Sequence, residues 1–397
     1  MTKSKFREFL FEAKHRTGLL AAAATVAVFL YMGVGAVAQS KSTLSALPPT
    51  PQAPKDNPTT PAKVALGRLL FWDPLLSGPQ DVACASCHHP QNGYAEDRDL
   101  SLGVTAIGLG SKRRQAPGSS IPIVKRNSPT VVNIAFSGSD ESGRYDPATA
   151  PMFWDLRVKS LEKQALEPLK AHEEMRGTTY PEDEALASVV AKLQANAEYR
   201  SLFAGAFGSE QPVNAENLGR AIAAFERTLL ANNSPFDRYM RGDRSAMTEE
   251  QVSGMRRFES VGCVKCHNGP MFSDYKLHVM GVPDNPALPA SDDGAEKTYA
   301  FRTASLRNLA FTAPYEHNGM FRTLSDVVGF YEDARGGRSR NPNVSSEKLD
   351  PLIRELGDFD EEDVDLVEFL RALSDDSFDR TIPERVPSGL PVGGKIQ

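Results

Sequence analysis

Apolar positions along this chain change their spacing from segment to segment, and that spacing carries the first structural information. After a basic start (Lys3, Lys5, Arg7, Lys14, Arg16), the stretch from Thr17 to Ser40 carries no charge and is rich in Leu, Ala and Val. A run of that length can span a bilayer. Ala36-Val37-Ala38, just before Gln39, also has the small-residue form of a cleavage site. Residues 1–38 are therefore predicted to be a cleaved export signal or a retained membrane anchor, with the basic end in the cytoplasm. From 39 to 63 the periodicity stops. Pro48, Pro49, Pro51, Pro54, Pro58 and Pro61 preclude a helix and favour an extended linker, which would hold the body away from the membrane if the anchor is kept.

Helical spacing begins at Val64–Trp72, before Asp73-Pro74, and returns at Ser160–Pro168, Glu184–Ala195 and Ala215–Leu230. The last of these has Leu218, Ile222, Ala223, Phe225 and Leu229 on one side. Thr248–Glu259 starts with Thr248 as N-cap, and Gln251 completes a capping box. Leu324–Tyr331 and Glu361–Leu373 follow. In the latter, Leu366, Phe369, Leu370 and Leu373 make an i, i+3, i+4, i+7 stripe. Between Leu102 and Pro151 the chain is rich in Gly, Ser and Pro, with Ile121-Pro122-Ile123 and Thr130-Val131-Val132 as short apolar islands. Loops this long in a compact domain are functional or disordered. They read here as loops around a cofactor.

The candidate chemistry sits just after two of these helices. Cys84-Ala85-Ser86-Cys87-His88 and Cys263-Val264-Lys265-Cys266-His267 are both C-x-x-C-H, the pattern for covalent attachment of a c-type haem. The thiols add to the haem vinyl groups, and the adjacent histidine ligates iron from one face. The two strings use all four cysteines. The competing readings are a zinc site, whose C-x-x-C pairs usually lie closer in sequence, and a pair of redox dithiols, which would not require a following histidine twice. A helix, a haem motif, loops and a closing helix make a cytochrome c-like unit, and the chain carries two. The predicted fold is mainly α: two cytochrome c-like haem domains (64–212 and 213–376) with long haem-enclosing loops, and a tail, 377–397, that packs back on the first.

Composition narrows the function classes. The 397 residues are 40% hydrophobic and 24% charged, ordinary globular values that allow a sizeable core. A net charge of −6 argues against generic nucleic-acid binding. Haem attachment fits an exported body, so the expected location is periplasmic.

Further blocks carry a resemblance. Phe153-Trp154-Asp155-Leu156-Arg157, with Gln164, Pro168 and Glu174-Met175, is similar to the inter-motif block of bacterial di-haem cytochrome c peroxidases. Leu306-Arg307-Asn308, Thr312-Ala313-Pro314-Tyr315 and His317-Asn318-Gly319 resemble the block after their second motif. The resemblance covers about Val64 to Ser374. The chain departs from that family in two places. Peroxidases of this family have a blocking histidine after the first motif, in a Ser-x-Gly-His context; here the stretch reads Ser101-Leu102-Gly103-Val104. They also have a methionine fourteen residues after the His317 position, where this chain has Tyr331. A tyrosine there resembles the MauG branch, which oxidises tryptophans on a partner protein. Met320 is the internal rival for that ligand role.

The resemblance implies a catalytic set and partners. Glu174 would be the acid/base that shifts a proton from the inner to the outer peroxide oxygen, with Gln164 adding a hydrogen bond. Trp154 would carry an oxidising equivalent between the haems. His88 and His267 would be the proximal iron ligands and Tyr331 the distal ligand of the second haem. Asn127, Thr312 and Pro314 would hold a calcium ion. His89 is expected at the surface, His172 in an exposed polar role, His278 at the second haem's edge without ligating, and His317 shaping the second pocket. The first haem would be peroxidatic and the second would transfer electrons. The expected partners are hydrogen peroxide and a small redox protein (a cytochrome c or cupredoxin) or a protein substrate. The alternatives are peroxide-dependent oxidation of a partner's side chains, and a plain electron-transfer di-haem cytochrome with both irons six-coordinate.

Overall fold

A computed structural model describes residues 43–208 and 210–397; the predicted signal or anchor segment lies outside the described residues. Helix α1 (Pro61–Trp72) opens the ordered helices. Thr60 caps it and Pro61 takes the first turn, where no N–H is missed. The short α2 (Cys84–Cys87) follows. Next come the antiparallel pairs β1 (Ala106–Ile107) with β2 (Arg114–Gln115), and β3 (Pro151–Met152) with β4 (Val158–Lys159). Then come α3 (Leu161–Gln164), α4 (Glu167–Lys170), a single π-helical turn His172–Arg176, α5 (Ala185–Ala195), α6 (Ala197–Phe207), α7 (Ala215–Glu226), α8 (Pro235–Met240) and α9 (Glu249–Ser260). The pair β5 (Leu277–Val279) and β6 (Ala300–Arg302), α10 (Leu324–Arg335) and α11 (Val364–Arg371) complete the chain. Among the described residues no helix is long and apolar enough to cross a membrane.

The same construction occurs twice. α1 crosses α7, and a Cβ at Gly67 would lie 2.0 Å from the Ala221 carbonyl oxygen. α9 crosses α11, and a Cβ at Gly254 would lie 1.8 Å from the Asp365 carbonyl oxygen. Each crossing is tight enough to demand glycine, and the first helix of each precedes one Cys-x-x-Cys-His string, with eleven residues (73–83) between them after α1 and two (261–262) after α9. The α1–α7 core gathers Leu66, Leu70, Phe71, Leu218, Ile222 and Phe225. The α9–α11 core gathers Phe258, Phe272, Leu366, Phe369 and Leu373.

Three sequence-based boundaries differ. Helix α7, assigned by sequence to the second domain (213–376), packs in the first core, because its Leu218–Ile222–Phe225 stripe complements the face of α1. The Pro-rich linker is a strap rather than a free spacer. Leu44 and Leu47 are buried, and the Leu47 N–H donates to Asp237 Oδ1 at 2.9 Å. The helix expected over 160–168 is split into α3 and α4, with Pro168 in the first turn of α4. Helix α6 was not expected, although Asn196 caps it and Tyr199 and Phe203 are buried on one side. Residues 377–397 return to the first core through Phe378 and Val386. There Ser86, between the first two cysteines, donates to the Gly393 carbonyl at 2.8 Å.

Candidate active site

Each Cys-x-x-Cys-His string opens onto its own cavity, of 310 Å³ at the first and 230 Å³ at the second. His88 Nδ1 lies 3.0 Å from the Tyr94 carbonyl and His267 Nδ1 lies 3.0 Å from the Phe272 carbonyl. A carbonyl only accepts, so Nδ1 carries the proton in both rings and Nε2 is left with its lone pair. That is the tautomer a metal-ligating imidazole needs, fixed by an outer hydrogen bond. Burial lowers both imidazole pKa values and favours the neutral ring.

The thiols argue against the competing readings. Burial pushes Cys84 and Cys263 up to about 12. A buried thiol held protonated is a poor redox nucleophile. The two pairs also line separate cavities, so they do not form one tetrahedral site. Covalent addition to a cofactor fits these residues better.

The first cavity brings together the candidates that sequence had placed far apart. Gln164 from α3, Pro168 from α4 and Glu174 from the π-helical turn line it with Cys84, Cys87 and His88. The turn is held from behind: the Val104 N–H donates to the Glu174 carbonyl at 2.8 Å. A Cβ at Gly103 would come within 2.1 Å of the same oxygen. Burial, reinforced by the nearby Glu173 charge, raises the Glu174 carboxyl from 4.5 to about 7, against the pull of Arg157. A carboxyl near neutrality can both accept and return a proton. Val104 points into the first core beside Ile121. His88 is the only histidine among the described residues lining this cavity.

Trp154 lines the second cavity, while its neighbours Phe153 and Asp155 line the first. The segment is pinned between the two. The indole Nε1–H donates to the Asn127 carbonyl at 3.1 Å, and the Arg302 N–H donates to the Trp154 carbonyl at 2.7 Å. Phe153 (φ 66°) and Leu156 (φ 58°) take left-handed backbone on either side, strain of the kind that collects at functional segments.

Tyr331, on α10, lines the second cavity with His267, their rings 6.5 Å apart and steeply inclined. Burial pushes its hydroxyl well above the usual range, and the Glu316 charge adds to this. Met320 packs in a neighbouring cluster with Phe321 and Phe330 and does not line the cavity. Met280 does, and is the thioether that sequence reasoning missed. Asn127, Thr312 and Pro314 all border this cavity, and Asn127 Nδ2 donates to the Arg98 carbonyl at 2.8 Å.

The other histidines sort as follows. His89 is a correction: it is 7% exposed, edge-on to Trp72 at 5.5 Å, and accepts from the Gln91 N–H, so it packs in the core rather than at the surface. His172 is half-buried and does not line the first cavity. His278 lines the second cavity, bonded to Asp350 at 2.6 Å and Asp274 at 3.1 Å. His317 stacks on Phe301 at 3.6 Å and meets Trp154 edge-on at 6.4 Å; both of those rings line the second cavity, and His317 itself does not.

Sequence reasoning also missed Glu226, Arg302 and Glu316. Glu226 lines the first cavity, and burial raises its carboxyl to about 8. Its signal was present: it lies four residues after Ile222, on the apolar stripe of its own helix, where a carboxylate is out of place. Arg302 lines both cavities. Glu316 lines the second, and burial raises its carboxyl to about 7. Nothing in their spacing marks these two.

Comparison with known proteins agrees with this geometry. Residues 61–245 match the family model described as di-haem cytochrome c peroxidase. The chain is 35% identical over 367 residues to cytochrome-c peroxidase IdrP1 of Pseudomonas sp. (strain SCT), covering 83% of this chain and 85% of the relative. It is also 35% identical over 337 residues to methylamine utilization protein MauG of Methylorubrum extorquens, covering 83% of each. Among solved structures, a MauG-like protein associated with microbial copper homeostasis superposes with a TM-score of 0.66 at 28% identity, over 84% of this chain and 95% of that one. The diheme peroxidase BthA of Burkholderia thailandensis shares the fold, with a TM-score of 0.62 at 24% identity over 84% and 94% of the two chains. With these relatives, with its two similarly built cavities and with a histidine poised at each, this chain belongs to the di-haem cytochrome c peroxidase family, whose members are oxidoreductases.

Proposed function

We propose that the protein is an exported peroxidase carrying two covalent c-type haems. Hydrogen peroxide is reduced in the first cavity, and the second haem supplies or stores the second oxidising equivalent. The observation that carries this reading is the meeting of Gln164, Pro168 and Glu174 in a cavity whose only lining histidine, among the described residues, is His88. An electron-transfer cytochrome needs no such open, acid-bearing face.

Haem iron supplies the redox centre at which the peroxide O–O bond breaks. The chain's own residues do the rest. The Glu174 carboxylate takes the proton from the inner peroxide oxygen and returns it to the outer one, so that the leaving group departs as water. The Gln164 side chain donates to the bound peroxide. Pro168, with no N–H, keeps that wall free of a competing donor. Trp154, pinned through its Nε1–H and its carbonyl, is held between the cavities as the route for an electron. Cys84 and Cys87, and Cys263 and Cys266, would hold the two haems through thioethers. Asn127, through its side-chain oxygen, and Thr312 and Pro314, through their carbonyls, would supply oxygen donors of the kind calcium takes.

A second reading, peroxide-driven oxidation of side chains on a partner protein, is favoured by Tyr331. A phenolate donor stabilises oxidised iron more than a thioether does, so this haem would hold an oxidising equivalent rather than pass electrons on. Scavenging with electrons from a small redox protein is the other outcome. Absorption and EPR spectra before and after one equivalent of peroxide, with and without reduced donor, test both. A spectrum indifferent to peroxide overturns the peroxidase reading.

A further inference from the structure

Reducing one peroxide to two waters breaks one O–O bond and takes up two electrons and two protons (H2O2 + 2 e− + 2 H+ → 2 H2O). The electrons come from the reduced enzyme or its donor. The protons must reach a buried cavity. Glu174 can move a proton between the two peroxide oxygens, but a shuttle that returns what it takes brings in no new proton.

A row of buried polar side chains runs outward from that cavity. Glu226, at the end of α7, lines the cavity wall, is 4% exposed, and has no protein hydrogen-bond partner at Oε2. Arg227, 2% exposed, donates from Nη2 to Glu162 Oε1 at 2.7 Å, while its Nε and Nη1 and Glu162 Oε2 are without protein partners. Glu162 Oε1 also accepts from Asn57 Nδ2 at 2.8 Å. Asn57, fully buried, accepts at Oδ1 from Lys63 Nζ at 3.0 Å. Beside it the Arg220 guanidinium pairs at 3.0 Å with Asp56, whose side chain is 73% exposed. The row starts at the cavity wall, with no direct bond between Glu226 and Arg227 or Glu162, and at its outer end Asn57 Nδ2 donates at 3.1 Å to the carbonyl of Arg220, the residue whose guanidinium meets exposed Asp56.

This arrangement is expensive as a staple. A buried polar atom with no partner costs about 1–3 kcal/mol, and buried ion pairs are weak stabilisers in any case. Internal water is the usual completion of such atoms. We propose that the row Glu226–Arg227–Glu162–Asn57–Lys63, completed by water, is the proton inlet of the first cavity, with Glu226 delivering at the cavity wall. The inlet rests on the reading that peroxide is reduced there. Arg227 stays charged and orients the neighbouring groups; the carboxyls of Glu162 and Glu226 carry the protons. Only O–H bonds of water and of the Glu162 and Glu226 carboxyls are made and broken; Arg227, Asn57 and Lys63 keep their N–H bonds and hold the water and carboxyls in line. Burial leaves Glu226 protonated at neutral pH, with a proton to give. The charged and titratable groups that face it are Arg227 on its own helix end, Glu162 from α3 and the Cys84 thiol from α2; Lys63 from α1 faces Arg227 and Glu162 further along the row.

The test uses the haem-loaded full protein, hydrogen peroxide and an ascorbate-reduced mediator. For Glu226→Gln, steady-state turnover should fall about ten-fold or more, with proton uptake, followed by a pH-indicator dye, slowed to match. The rate of the first encounter with one equivalent of peroxide should stay within about two-fold, because Glu174 serves that step alone. In the difference spectrum between wild type and variant at about pH 7.5, one infrared carbonyl band of a buried protonated carboxyl should be lost, over and above those of Glu174 and Glu316. Glu162→Gln should show the same split between the two rates. If Glu226→Gln fails to fold, Glu226→Asp, one methylene shorter, must still slow turnover more than first encounter. Equal loss of both rates, unchanged turnover, or a difference spectrum without a lost carboxyl band overturns the inlet. A wild type that consumes no peroxide overturns the functional reading itself, and the inlet with it.

Discussion

Consider Glu174→Gln. In the folded protein burial raises the Glu174 carboxyl from 4.5 to about 7. If the carboxylate is the form that takes the proton from peroxide, the reactive fraction is about 3% near pH 5.5 and about 90% near pH 8. The second-order rate with peroxide should therefore rise roughly 30-fold over that interval and level off above it. The glutamine variant should lie about two to four orders of magnitude lower and lose the profile. The same shift has a stability side. A folded pKa above the unfolded one means that the native state holds the proton more tightly. Its contribution is fully present below about pH 4.5, fades as pH rises through about 7, and amounts to at most about 3 kcal/mol at 1.36 kcal/mol per unit. Partial exposure of the residue toward the cavity makes that an upper bound. Glu174→Gln should thus be as stable as wild type near pH 4.5 and more stable near pH 8. Stopped-flow mixing across pH gives the first profile and denaturant unfolding gives the second. A wild-type rate flat between about pH 5.5 and 8, or a glutamine variant of wild-type rate, refutes the assignment of Glu174 as the proton acceptor.

Other expectations follow from the same structure. Intact mass and haem-stained denaturing gels should show two covalent haems, reduced to one in Cys84→Ser/Cys87→Ser; haem extractable by acid acetone would contradict this. The first haem should be five-coordinate and high-spin at rest and should react with peroxide without pre-reduction, since Val104 is turned into the core; two low-spin EPR signals would be the contrary result. Tyr331→Met should raise the second haem's potential and introduce the near-infrared band of His/Met ligation. If the wild type already shows that band, Met280, which lines the same cavity, is the ligand. Gly254→Ala should destabilise by about 1–3 kcal/mol or more, because the added methyl meets the Asp365 carbonyl in a crossing that cannot open; an unchanged melting temperature would mean that α9 and α11 do not pack this closely.

The two attachment motifs, the helices that precede them and the capping box at Thr248 were legible because each is a local pattern. A five-residue string points to its chemistry without help from the rest of the chain. A helix cap is satisfied within three residues, and Thr248 and Gln251 exchange the expected bonds. The resemblance carried Glu174, Gln164 and Trp154, which no periodicity would have singled out. Tertiary structure decided which of these share a wall. It put Gln164, Pro168 and Glu174 around one cavity, and laid Trp154 along the other with its neighbours facing the first. It also moved α7 into the first core, turned the proline-rich linker into a strap and buried His89. The physical reason is common to all of these. An apolar stripe records that a face will be buried, but not against what, and complementary faces can lie more than a hundred residues apart. Glu226 shows the limit most clearly. Its place on an apolar stripe is visible in the sequence, while the cavity on one side of it and the row from Arg227 to Lys63 on the other exist only once α1, α3 and α7 have packed.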